Sequence, residues 1–139
     1  YDSYRTELFE GGVLQIGIAR SNETCFELPD SSPDYGQQIA AYYYWLYPGV
    51  MLNFYPWGLS VNIVTPLSVG RTRIVYHGFV WDHSKLGMGA GGDLDKVEDE
   101  DQGIVEATQR GVASRVYDRG RYSPTKETGV HHFHRMLTS

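Results

Sequence analysis

Five acidic side chains fall within the first eleven residues of KVEDEDQGIVEATQRG, residues 96–111, and they do not all belong to one surface. On a helical wheel centred on Asp101, residues Leu94, Val97, Ile104, Val105, Thr108, Val112 and Val116 lie within roughly 60° of it. Asp99, Glu106 and Arg110 fall on the opposite, solvated side. A carboxylate in the middle of an apolar stripe needs a cation, strong donors or a metal, because burying the charge alone costs several kcal/mol. Three readings follow for Asp101: a first-turn or N-cap acid if the helix begins late, the partner of a buried Arg, or a ligand to iron or a similar metal. A metal would also require nitrogen donors.

Five histidines could provide them: His77, His83, His131, His132 and His134. The HHFH run resembles a ligand cluster and could hold zinc, but imidazoles near a helix C-terminus equally suit its dipole. His77 fits a hydrogen-bonded position in a strand, and His83 an exposed strand end. A second set is aromatic: Tyr42, Tyr43, Tyr44, Trp45, Tyr47, Phe54, Tyr55 and Trp57 are dense enough to line an apolar pocket. Alternation should turn half of them toward the concave side of a sheet. Tyr44, Asn53, Tyr55, Trp57 and Asn62 are the expected pocket set, able to hold an apolar or aromatic compound.

The elements that must carry these groups change period along the chain. Residues 4–10 and 12–20 read as a strand pair broken at Gly11 and Gly12, and residues 21–37 as a loop rich in Ser, Asp, Pro and Gly. Runs at 41–47, 49–54, 58–67 and 71–82 predict an antiparallel meander. After the glycine segment HSKLGMGAGG a helix should begin near Asp93 or Asp95 and run to about Tyr117, and KETGVHHFHRML could add a short final helix. Strands followed by helices predict an α+β domain in which a long helix packs on a curved antiparallel sheet.

Composition narrows the partners. With 139 residues and 41% apolar content, the chain has enough material for one domain. A net charge of -5 and a pI near 5.4 argue against nucleic-acid or anionic-membrane surfaces. The single Cys25 cannot form an intrachain disulfide framework, which suits a reducing cytoplasm, and no apolar run reaches about 18 residues. The first residue is Tyr, as expected of a fragment or a processed chain.

EDEDQGIVEATQRG with the following GRYS, and the strand pair LYPGVMLNFYPWGLSVNIVTPL, resemble the C-terminal end of the catalytic α subunits of Rieske-type ring-hydroxylating oxygenases. The likeness spans roughly residues 40–139 and is to the branch that includes choline and carnitine monooxygenases. It implies a helix-grip fold (START/Bet v 1-like) of which residues 1–139 form only the C-terminal half. It also implies a mononuclear Fe(II) held by two histidines and one aspartate. Spaced back from Gln109 on the same helix, that aspartate matches Asp101, with Asp99 as runner-up. The two histidines belong to a segment upstream of the first strand, and the [2Fe-2S] Rieske cluster lies outside this segment, since one cysteine cannot supply it. The chain is then part of a longer protein or a degenerate relative, and by itself is expected to be inactive. The implied activity is mono- or dioxygenation with O2 of an organic substrate, an aromatic compound or a quaternary amine that some of the rings could face by cation–π attraction, fed by a reductase or ferredoxin, in a homotrimer. The alternative is a non-catalytic small-molecule binding module of the same fold.

Overall fold

The computed structural model describes residues 3–139. Six strands form one antiparallel sheet in sequence order: β1 (Ser3–Phe9), β2 (Gly12–Ile18), β3 (Ile39–Leu46), β4 (Val50–Tyr55), β5 (Gly58–Ser68) and β6 (Arg71–Val80). The expected meander is therefore present, with each turn where glycine or proline interrupts the β-branched and aromatic runs. At the β1–β2 turn Gly11 takes φ 77°, a left-handed conformation that a side chain would strain. Two helices follow, α1 (Leu94–Val112) and α2 (Thr128–Thr138). Among the described residues, no helix is long and apolar enough to cross a membrane.

Register divides the side chains between two faces. Leu14 opposes Tyr44, and Ile16 opposes Tyr42, which in turn opposes Phe54. Cross-strand partners share a face, so these residues form one side. The other side carries Val13, Gln15, Tyr43, Trp45, Met51, Asn53, Ser60, Asn62 and Tyr76. Each face has its own small core. Leu14, Ile16 and Ile39 are buried beneath Phe26 and Leu28 of the 19–38 loop, while Ala41, Tyr55 and Trp57 are buried beneath Ala90 and Leu94.

The loop on the first face is held by one buried acid. Asp34 is only 5% exposed. It accepts hydrogen bonds from Arg5 on β1, from the Tyr42 hydroxyl at 2.9 Å and from Gln37 Nε2 at 3.3 Å. Backbone bonds from Ala19 N to Gln38 O and from Phe26 N to Ile39 O, both 2.8 Å, close the loop against the strand edge. Burial works against the Asp34 carboxylate, but the Arg5 and Tyr42 bonds outweigh it and hold its pKa below the ordinary value. Burial and the adjacent Asp34 both push the Tyr42 phenol up.

The helices depart from expectation in two ways. α1 stops at Val112, short of Tyr117. Its end tightens, with Ala113 N–H donating to the Gln109 carbonyl and Ser114 N–H to the Gly111 carbonyl, both at 3.1 Å, the second an i to i+3 closure that does not continue the helix. The helix that packs on the strands is the short α2, against β1 and β2; beyond its first residue, α1 lies off the sheet. Its apolar stripe is open, with Ile104 and Val105 each 64% exposed.

Asp34→Asn should lower stability by about 1–3 kcal/mol by removing a buried, charge-assisted partner. Because the folded pKa is depressed, the contribution of Asp34 is complete above the unfolded value of about 3.9 and is lost as pH falls through the folded value. Urea denaturation over a pH series should therefore show the difference between wild type and variant shrinking only in strong acid.

Candidate functional site

α1 is rooted in the aromatic corner between β4 and β5. Tyr55 and Trp57 stack with centroids 5.2 Å apart and planes 6° from parallel. The Tyr43 ring meets Tyr55 edge-on at 5.9 Å, and Trp57 Nε1 donates to the Ala90 carbonyl at 3.3 Å. Leu94, the first residue of α1, packs on this cluster. The glycine segment makes the approach possible: Gly91 has φ 71°, and a Cβ there would lie 2.8 Å from the Tyr55 ring. The helix thus starts on the face that carries Tyr43, Asn53 and Tyr76, and its acids remain near that side. Partial burial pushes the Tyr76 phenol up, and Glu98, Asp101 and Asp99 push it the same way.

Asp101 does not occupy the buried position that the wheel suggests. It is exposed, together with the stripe around it. The helix begins at Leu94, so Asp101 lies well past the first turn and is no cap, and no cation pairs with it among the described residues. What the structure supplies is a carboxylate on the Tyr76 side of the sheet, flanked by Asp99 and by the half-buried Glu98.

α2 covers the opposite end of the same face. Phe133 meets Trp45 edge-on at 4.7 Å, and Gly129 approaches Val13 closely. His132 Nε2 lies 3.0 Å from the Phe9 carbonyl, positioned to donate to it. Between α2 and β1–β4 lies a cavity of about 450 Å³. Tyr43, Trp45, Met51, Val64 and Phe133 give it apolar walls, and Gln15, Asn53 and Lys126 give it polar ones. This volume and lining suit a small organic molecule.

The pocket set expected from sequence divides. Asn53 lines the cavity. Tyr44 borders it, but its ring packs on the other face, edge-on to Phe9 and Phe54. Tyr55 and Trp57, 4% and 3% exposed, are core rather than lining. Asn62 lies outside the cavity wall, where its Oδ1 accepts from the buried Ser60 Oγ at 2.9 Å. Sequence reasoning missed Gln15, Lys126 and Phe133. Tyr43 and Trp45 were visible in the aromatic run, as alternates to Tyr44, but no local pattern marked Lys126.

The HHFH run has structural tasks. His134 Nδ1 makes a short hydrogen bond with the Tyr122 hydroxyl, and His131 lies edge-on to the same ring at 5.1 Å. No group of three His, Cys, Asp or Glu side chains suited to a metal exists among the described residues, so the zinc reading of this run finds no support. The acids of α1 can supply oxygen to a metal, but among the described residues no imidazole joins them in such a group.

Residues 20–139 match the family of the ring hydroxylating alpha subunit (catalytic domain). The chain belongs to this family. Among curated proteins, the chain is 32% identical to choline monooxygenase, chloroplastic, of Arabidopsis thaliana, over 98% of the chain and 32% of that protein. It is 30% identical to the Spinacia oleracea protein of the same name, over 99% of the chain and 30% of the relative. Identity to the carnitine monooxygenase oxygenase subunit of Escherichia coli (strain K12) is 26%, over 98% of the chain and 38% of the subunit. The chain spans about a third of the length of these relatives.

Gly91→Ala should lower stability by about 1–2 kcal/mol, since it adds left-handed strain and a contact with Tyr55. Gly103→Ala, at a position in α1 with open space around it, should be neutral or stabilise by up to about 1 kcal/mol. Thermal denaturation of the two variants measures the contrast.

Proposed function

We propose that this domain serves an iron-dependent oxygenase that hydroxylates a small organic substrate, a quaternary amine or an aromatic compound, with O2. The observation that carries the reading is the match of residues 20–139 to the ring-hydroxylating catalytic domain. Names of the relatives, choline and carnitine monooxygenases, point to the same oxygen chemistry. The fold is of the helix-grip kind, with its ligand space between sheet and terminal helix.

The donor set allows one part of a metal centre. Asp101, with Asp99 as runner-up, would give mononuclear Fe(II) an anionic oxygen ligand, and two histidines would have to come from outside the described residues. Bound iron would supply the capacity to activate dioxygen, with electrons arriving through a [2Fe-2S] Rieske cluster outside this segment from a reductase or ferredoxin. The chain's own contribution is to position and to enclose. The Tyr55–Trp57 cluster fixes where α1 leaves the sheet, and hence where Asp101 can reach. Trp45, Tyr43 and Phe133 exclude water from a ligand, while Asn53 and Gln15 can orient it by hydrogen bonds. A homotrimer in a reducing, cytoplasmic setting completes the proposal, with one subunit's cluster serving the next subunit's iron.

In the full-length protein, Asp101→Ala should remove mononuclear iron and lower turnover at least about a hundredfold. Metal analysis would be paired with the cluster's visible spectrum, which should be unchanged. Unaltered iron content would refute the ligand assignment, and iron loss in Asp99→Ala instead would transfer it to the runner-up.

A further inference from the structure

Among the described residues, the cavity beneath α2 has one charged side chain in its wall, Lys126, and no Asp or Glu lines it. Ser123 Oγ accepts from the Lys126 backbone N–H at 3.2 Å, but the ammonium has no acidic partner among the described residues. The other strong polar groups of the lining, the Gln15 and Asn53 amides, are neutral and can donate as well as accept. Facing them are the rings of Tyr43, Trp45 and Phe133, the last two in edge contact across the sheet–helix boundary.

We propose that the ligand of this cavity is an amphipathic carboxylate, with its apolar body against the Trp45 and Phe133 rings and its acid group toward Lys126. The inference rests on reading the cavity as the substrate space of the proposed oxygenase, and it narrows the substrate class. Aromatic faces alone would welcome an organic cation, but an unpaired ammonium in the same wall sets a positive potential that opposes a bare one. A carboxylate reverses the sign, and its bond to Lys126, at the exposed rim of the cavity, is charge-assisted. A ligand bearing a cationic centre fits only if it also carries an acid group to meet Lys126.

Three probes of similar size separate the possibilities in the full-length protein by isothermal titration calorimetry: phenylacetate, phenylacetamide and phenyltrimethylammonium. Phenylacetate should bind about tenfold more tightly than the amide, and the cation should bind most weakly. Lys126→Gln should bring phenylacetate down to the level of the amide, and Lys126→Glu should place the cation above the acid. Phe133→Ala should weaken all three, which locates the binding beneath α2. Lys126 is exposed, so its replacement leaves the fold intact, as circular dichroism can verify. Absence of acid preference in the wild type, including failure of every probe to bind, would overturn the proposal; so would a preference that survives Lys126→Gln. The titrations need no turnover and are repeated in Asp101→Ala, where the acid preference should persist. Loss of acid preference therefore rejects the ligand class alone, whereas a full-length protein that holds no mononuclear iron and hydroxylates no organic compound with O2 rejects the oxygenase reading alone.

Discussion

Where α1 leaves the sheet is decided by a few atoms at the β4–β5 corner. Tyr55 and Trp57 lie flat on one another, Ala41 offers no bulk beneath them, and Gly91 lets the returning backbone touch the Tyr55 ring. Leu94 closes this cluster, and from there the helix runs free of the strands. A lever pivoted at one end magnifies any change at the pivot, so the small packing volume at the corner governs the position of every acid on α1. The indole bond to the Ala90 carbonyl matters for the same reason: it fixes the depth of the returning chain, not only its direction.

Two faces of one sheet are used for different purposes. The first is closed by the 19–38 loop, whose buried Asp34 draws Arg5, Gln37 and Tyr42 together across three segments. Such a charge is tolerated only because its acceptor sites are met by donors, two of them on the sheet itself. The second face is left partly open between α2 and α1, and its floor is a row of polar side chains, Gln15, Asn53 and Ser60, set into an aromatic surround. Rigidity behind the sheet thus supports space in front of it.

Much of this was legible in the sequence. Glycine and proline positions gave the six strands close to their ends, and the change from a period of two to one of about 3.6 located α1. Less legible was which half of the aromatic run faces the cavity. Alternation groups Tyr43 with Trp45 and Tyr42 with Tyr44, but the parity alone does not say which pair meets α2. Tyr55 and Trp57 became core because a distant glycine segment folds over them, and that contact has no local signature. The Asp101 stripe is a different case. The wheel groups these residues into one apolar stripe and implies that it turns inward, but a pattern describes what a helix could bury, and the described residues bring no surface to it. Lys126 was missed because a single lysine before a helix carries no periodic signal; its meaning comes from the cavity wall that it joins.

The attachment of α2 has a thermodynamic corollary. This helix is tied down by the Trp45–Phe133 ring contact, the His132 link to the Phe9 carbonyl and the Tyr122 contacts with His131 and His134, and it buries no residue fully. Local opening of such an element requires less free energy than unfolding the sheet beneath it. The cavity exists only while α2 is docked, so anything that occupies it shares its binding energy with the helix and suppresses that opening. Occupancy and order of the C-terminal helix are then a single equilibrium, seen from two sides.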